Sequence, residues 1–103
     1  MKQKSIFLKH LGDSLQLRVL EFLIDNHFFD CTKEQIIKST GVKTFFLKKY
    51  LLMLEKNNLV IKTKKENLEL YRLNQENPAV QQLIKLDWNL TSGAIQKEQE
   101  VLA

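Results

Sequence analysis

Apolar side chains recur along this chain first at helical spacing, then at strand spacing, then at helical spacing again. From Lys4 to Leu11 they fall at Ile6, Phe7, Leu8 and Leu11, the pattern of a short helix packed on a larger body and ended by Gly12. Asp13 or Ser14 then offers an N-cap. Leu15, Leu17, Val19, Leu20, Phe22, Leu23 and Ile24 follow, with Gln16, Arg18, Glu21 and Asp25 as the wet side. A helix apolar over most of its circumference belongs at the centre of a small core. Asn26 and His27 end it, and Phe28, Phe29, Asp30 and Cys31 read as an extended connector.

Thr32 with Gln35 three positions on is the pattern of a capping box, in which each side chain satisfies the other residue's backbone N–H. It predicts a short helix from about Lys33 to Ser39 that buries Ile36 and Ile37. Gly41 supplies the positive φ of a tight turn, and Val42 re-enters the core. Leu47, Leu51 and Leu54 then keep one face of a helix spanning 44–57. Asn57 and Asn58 stop it, because Asn tolerates left-handed backbone. Leu59 to Lys64 and Leu68 to Leu73 read as two strands joined at Lys65, Glu66 and Asn67, a hairpin over 59–73. Asn77 before Pro78 marks a helix start, since proline at the first helical position gives up no needed hydrogen bond. That helix can run to about Glu100, with Ser92 and Gly93 as the place for a bend or a break. The fold class is mainly α with a small β-hairpin.

Length and composition narrow this picture. A chain of 103 residues with 44% apolar and 27% charged residues is one ordinary globular domain. The single cysteine, Cys31, supports neither a disulfide framework nor a cysteine zinc site within one chain. His10 and His27 lack metal-ligand spacing, so no metal or cofactor is expected. No stretch approaches the roughly 20 apolar residues of a membrane span, and the expected compartment is the cytoplasm. Charge is more telling in its distribution than in its net value of +4. Residues 1–32 balance four basic against four acidic side chains; residues 33–72 carry ten basic against four acidic; residues 73–103 carry two against four. The positive excess lies wholly in the middle of the chain, as in a module that faces a polyanion.

The stretches GDSLQLRVLEFLIDN (12–26), STGVKTFFLKKYLLMLEKNNLV (39–60) and LYRLNQENPAVQQLIKLD (70–87) resemble the winged helix-turn-helix DNA-binding regulators, in particular the small ones common in archaea. The resemblance covers about residues 5–90. It implies a winged helix-turn-helix over residues 1–77; an extra short N-terminal helix precedes its core, and the long C-terminal helix over 78–103 is the candidate dimerisation element on the ground of its apolar surface, described below. It also implies sequence-specific binding of double-stranded DNA as a transcriptional regulator. The helix over 44–57 would enter the major groove and the hairpin would act as wing. Lys43, Thr44, Phe45, Phe46, Lys48 and Lys49 stand where the family presents side chains to the groove and its phosphates. Lys33 and Lys38 on the preceding helix, and Lys62, Lys64, Lys65 and Arg72 on the wing, would extend that positive field.

Phe45 and Phe46 depart from the small polar residues usual at these positions. Phenylalanine cannot hydrogen-bond a base edge, but it can touch a thymine methyl. The alternative is that one ring folds back on the core, around Ile36, Ile37 or Phe29. A third reading makes the pair a contact for another protein, and the chain a winged-helix interaction module. For the lysines, the alternative is a solvated face; for those of the wing, it is protection of an exposed hairpin edge. The final helix carries Val80, Leu83, Ile84, Trp88, Leu90 and Ile95, more apolar surface than one side of a small domain needs. The excess predicts a homodimer, whose recognition helices would stand about 34 Å apart or a multiple of it on a palindromic site. Any small-molecule effector would bind at that interface. No paired carboxylates, no nucleophile with a base and no phosphate-cradling glycine loop appear, so no enzyme is expected.

Overall fold

A computed structural model describes Leu8 and residues 11–102, with side chains as far as Gly93. The helix expected over Lys4 to Leu11 falls largely outside these residues. Leu8 and Leu11 are both helical, Leu8 is buried, and the Gly12 amide donates to the Leu8 carbonyl at 2.8 Å. The elements that follow are α1 (Leu15–Asp25), α2 (Lys33–Thr40), α3 (Thr44–Lys56), β1 (Val60–Lys65), β2 (Leu68–Leu73) and α4 (Pro78–Leu102).

Local chemistry sets most of the boundaries. The Ser14 side chain accepts from the Leu17 amide at 3.1 Å and caps α1. At α2 the Thr32 hydroxyl accepts from the Gln35 amide while the Gln35 side chain accepts from the Thr32 amide, which satisfies two orphan donors reciprocally. Gly41 ends α2 in left-handed backbone, φ 74°, where a Cβ would crowd the following carbonyl oxygen at a cost of roughly 1–2 kcal/mol. Asn58 does the same after α3 with φ 61°. Asn77 accepts from the Ala79 amide at 2.9 Å and opens α4 on Pro78. α4 runs through Ser92 and Gly93 without a break. A serine and a glycine together cost a helix only about 1–1.5 kcal/mol relative to alanine, too little to end one.

The connector from Phe28 to Cys31, which the sequence pattern predicts to be extended, is extended only in part. It begins as a turn, with the Phe29 amide donating to the Asn26 carbonyl at 2.9 Å. Only at Cys31 does it become strand-like, and there it pairs antiparallel with Tyr71 through bonds of 2.7 and 2.8 Å. The hairpin thus gains a one-residue third strand along β2, which anchors the start of α2 to the sheet. β1 pairs with β2 from Val60 opposite Leu73 to Lys65 opposite Leu68, so the loop is only Glu66 and Asn67. Strand β1 starts one residue later than predicted, because Leu59 is used to close the α3 C-terminus on the Leu54 carbonyl.

Every element contributes to one core. Val19 and Leu23 of α1, Ile36 of α2, Leu47, Leu51 and Leu54 of α3, Val60, Tyr71 and Leu73 of the hairpin, and Val80 of α4 are all buried. Each fully buried leucine adds roughly 1.5–3 kcal/mol through the area it removes from water. The three α3 leucines therefore fix the rotation of that helix about its axis, and with it the residues that α3 turns outward. The molecule extends 53 Å in its longest direction and 21 Å in its shortest. A 25-residue helix such as α4 has a length of about 37 Å.

Candidate nucleic-acid interface

With Leu47, Leu51 and Leu54 inward, α3 turns Thr44, Phe45, Lys48, Lys49, Leu52, Met53 and Lys56 to solvent. Phe45 is 71% exposed, and the Lys49 ammonium lies over its ring, 4.5 Å from the centroid. Phe46, one position on, points elsewhere. It packs partly against the core and stacks on Tyr50 with centroids 5.9 Å apart. Two adjacent phenylalanines thus have opposite fates, because successive helix positions are turned by 100°. Burial raises the affinity of the Tyr50 hydroxyl for its proton.

Among the described residues, no ion pair engages Lys43, Lys48 or Lys49. α3 also differs from the other helices at its N-terminus. Lys43 occupies the N-cap and provides no side-chain acceptor, whereas Ser14, Thr32 and Asn77 cap their helices. The first-turn amides of α3 and the Lys43 ammonium therefore offer positive charge together.

Two of the predicted cations are committed inside the molecule. Lys33 Nζ lies 3.1 Å from Glu69 Oε2, and that carboxylate also accepts from the Tyr71 hydroxyl at 3.0 Å. The lysine bond first, then the tyrosine bond, hold the Glu69 carboxyl below its ordinary range. Burial, then the same Glu69 bond, push the Tyr71 phenol up to about 12. This network ties the first turn of α2 to β2 and leaves Lys33 half-buried. Arg72 Nε sits 3.9 Å from Asp30 Oδ1, a looser pair across the connector. Lys38 is exposed and borders a shallow groove of about 430 Å³ with Phe22, Asn26, Phe29 and Gln35. Cys31 lines the same groove, but burial, and after it Asp30, favour its thiol over the thiolate.

Strand register divides the wing cations. Residues directly opposite in an antiparallel pair share a face. Lys62 and Lys64 therefore lie with their partners Tyr71 and Glu69, while Lys65 and Arg72 occupy the other face with Ile61 and Leu68. All four are exposed. Glu66 at the tip takes φ 58°, left-handed backbone that glycine would adopt more readily.

Along α4 the structure divides the residues expected to face a partner. Val80 is buried in the core of its own chain, and Leu83, Ile84 and Leu90 pack partly against that core. Trp88 is 69% exposed, and Leu86 is also exposed. Ile95 lies outside the residues whose side chains are described. Asp87 of α4 acts on Asp25 at the end of α1. Burial first, then Asp87 and Glu21, raise the Asp25 carboxyl to about 6, with His27 opposing.

A helix, a glycine turn, a second basic helix and a hairpin packed on one core define a winged helix-turn-helix fold. Solved structures share it. Sso10a-2, a DNA-binding protein from Sulfolobus solfataricus, superposes with a TM-score of 0.51 over 88% of this chain and 97% of its own, at 20% identity. BpsR of Bordetella bronchiseptica, whose DNA binding is regulated by 6-hydroxynicotinic acid, gives 0.59 over 95% and 83%, at 17% identity. SPO1453 from Silicibacter pomeroyi DSS-3, a MarR family transcriptional regulator, gives 0.56 over 92% and 64%, at 19% identity. At such identities the likeness is one of fold. No protein-family model matches the sequence, and no curated protein matches it.

Among the described residues, no group of three or more His, Cys, Asp or Glu side chains is placed to hold a metal ion. No helix among them is long and apolar enough to cross a membrane.

Proposed function

We propose that this chain is a sequence-specific double-stranded DNA-binding regulator of transcription. In this reading α3 enters the major groove, the hairpin is the wing, and α4 joins two copies. The observation that carries it is the outer face of α3: Lys43, Lys48 and Lys49, without ion-pair partners among the described residues, on a helix whose rotation is fixed by three buried leucines. Ammonium groups so placed can displace the counterions condensed on phosphates. The DNA binding of Sso10a-2 and BpsR on the same fold supports the reading. Lys38, Lys62, Lys64 and Lys65 extend the field from neighbouring elements, and Thr44 can donate to a phosphate or a base edge. Lys33 and Arg72 serve it less directly, being held by Glu69 and Asp30. In this reading the protein works in the cytoplasm.

The alternative, a protein-binding module that uses both phenylalanines, is weakened by the position of Phe46, which stacks on Tyr50 and leaves one ring for a partner. Salt dependence separates the two readings. A dimer that neutralises about six phosphates loses affinity for duplex DNA with a log–log slope near −5. Lys48→Ala with Lys49→Ala removes four of those charges per dimer and should flatten the slope to about −2. A slope left unchanged by the double substitution would remove α3 from the groove.

A further inference from the structure

Phe45 remains unexplained by phosphate contact. It is a large apolar side chain in the first helical turn of α3, 71% exposed, and neither the core nor Phe46 covers it. In helix-turn-helix docking, the N-terminal residues of the groove helix are those that meet base edges. A phenyl ring there can neither donate nor accept. Most features a base presents in the major groove are polar: purine N7, guanine O6, and the amino groups of adenine and cytosine. The thymine 5-methyl is apolar. A polar edge covered by the ring would lose its water and gain no partner, whereas a methyl group gains contact by leaving water.

We infer that Phe45 is a specificity-determining residue that reads the 5-methyl group of a pyrimidine in the major groove. The ring selects thymine, or 5-methylcytosine, by apolar contact and by the desolvation penalty it imposes on other base edges. Lys49 completes the device. Its ammonium lies over the Phe45 ring at 4.5 Å, which keeps charge next to an apolar reader and occupies one face of the ring. The edge and the other face are left for the methyl. Leu52, one further turn along the same exposed stripe, continues the apolar surface. This inference rests on α3 lying in the groove and deepens that reading by naming the chemical group recognised.

The test uses the full chain and sites selected from a random duplex pool. Each thymine in a selected site is replaced in turn by deoxyuridine, which removes one methyl group and keeps every hydrogen-bonding edge and every phosphate. At one position per half-site the replacement should weaken wild-type binding about fourfold per methyl, the loss of one buried methyl contact. Phe45→Ala should lose a similar factor on the thymine site and bind thymine and deoxyuridine sites equally, with an unchanged salt slope because no cation is removed. Phe45→Leu should retain part of the discrimination. At a position where cytosine is tolerated, 5-methylcytosine should bind more tightly than cytosine. Salt-dependent duplex binding that ignores every deoxyuridine replacement overturns the methyl reading alone, as does a Phe45→Ala variant that still discriminates. Absence of salt-dependent duplex binding overturns the groove assignment itself, and this inference with it.

Discussion

Helices α3 and α4 both carry apolar side chains into solvent, and they differ in what stands beside those side chains. On α3, Phe45, Leu52 and Met53 are interleaved with Lys48, Lys49 and Lys56. On α4, Leu86 and Trp88 are exposed on opposite sides of the half-buried Asp87, on a helix whose sequence holds three acidic residues, Asp87, Glu98 and Glu100, against two basic ones, Lys85 and Lys97. Exposed apolar surface announces a partner of some kind; the sign of the neighbouring charge decides which kind. Cations among the apolar groups suit a polyanion whose grooves also hold methyl groups. Apolar side chains without excess cations gain nothing from DNA and suit burial against another apolar surface. The comparison supports, from one physical rule, the proposal that α3 meets nucleic acid and α4 a second copy.

A charge placed on each face in turn separates the two roles. The larger effect is expected from Trp88→Glu. Its side chain stands mostly outside the core, so circular dichroism should show the fold intact while sedimentation shows a monomer. Loss of the second half-site removes the advantage of linked binding, and affinity for a palindromic duplex should fall by about 100-fold or more. A dimer mass retained by this variant would sever α4 from self-association. The reciprocal change, Leu52→Glu on α3, should leave the dimer mass unchanged and stability within about 0.5 kcal/mol, as for most surface substitutions. It sets a carboxylate among the phosphates, where each like-charge contact costs on the order of 1 kcal/mol, so the two contacts of a dimer should weaken binding about thirtyfold at low salt. Unaltered DNA affinity would show that this stripe does not face the duplex.

Much of this was legible in the sequence where the governing chemistry is local. The Thr32–Gln35 capping box, the left-handed Gly41 and Asn58, the Pro78 helix start and the leucine stripe of α3 each depend on residues a few positions apart, and all are present. The separate fates of Phe45 and Phe46 were open to the same kind of reading. Phe46, Tyr50 and Leu54 recur every four residues toward the core, whereas Phe45, Lys49 and Leu52 run along the outside. Contacts between distant segments left no such trace. The Cys31–Tyr71 bridge joins single residues, too short for any alternation, and the Lys33–Glu69 pair depends on the turn that brings α2 to the sheet. The wing lysines read as one patch until a two-residue loop sets the register and places Lys65 on the face opposite Lys62 and Lys64.

The smallest effect expected lies where α4 meets the body, and it shows the opposite electrostatics from α3. Asp25 ends α1 beside Asp87 of α4 and Glu21 of its own helix. Burial is the main reason its carboxyl rises to about 6, the two acids add to it, and His27 offsets part. Asp87 is shifted the same way by its own burial. An acid whose affinity for its proton rises on folding favours the folded state while protonated. That contribution is complete below the ordinary carboxylate range near 4 and is lost as pH rises through about 6. Glu69, held low by Lys33, runs the other way and loses its contribution only as pH falls below its depressed value. Asp25 still reaches water, so the difference between pH 4 and pH 7 should be only about 1 kcal/mol after screening. Asp25→Asn, compared with wild type by denaturant unfolding at fixed protein concentration, should match it near pH 4 and exceed it by about that amount near pH 7. Its DNA salt slope should be unchanged, because the lost charge lies on neither outer face. A stability difference that is the same at both pH values would mean that the charge of Asp25 is not opposed by its surroundings, and that α4 is seated on α1 without electrostatic cost.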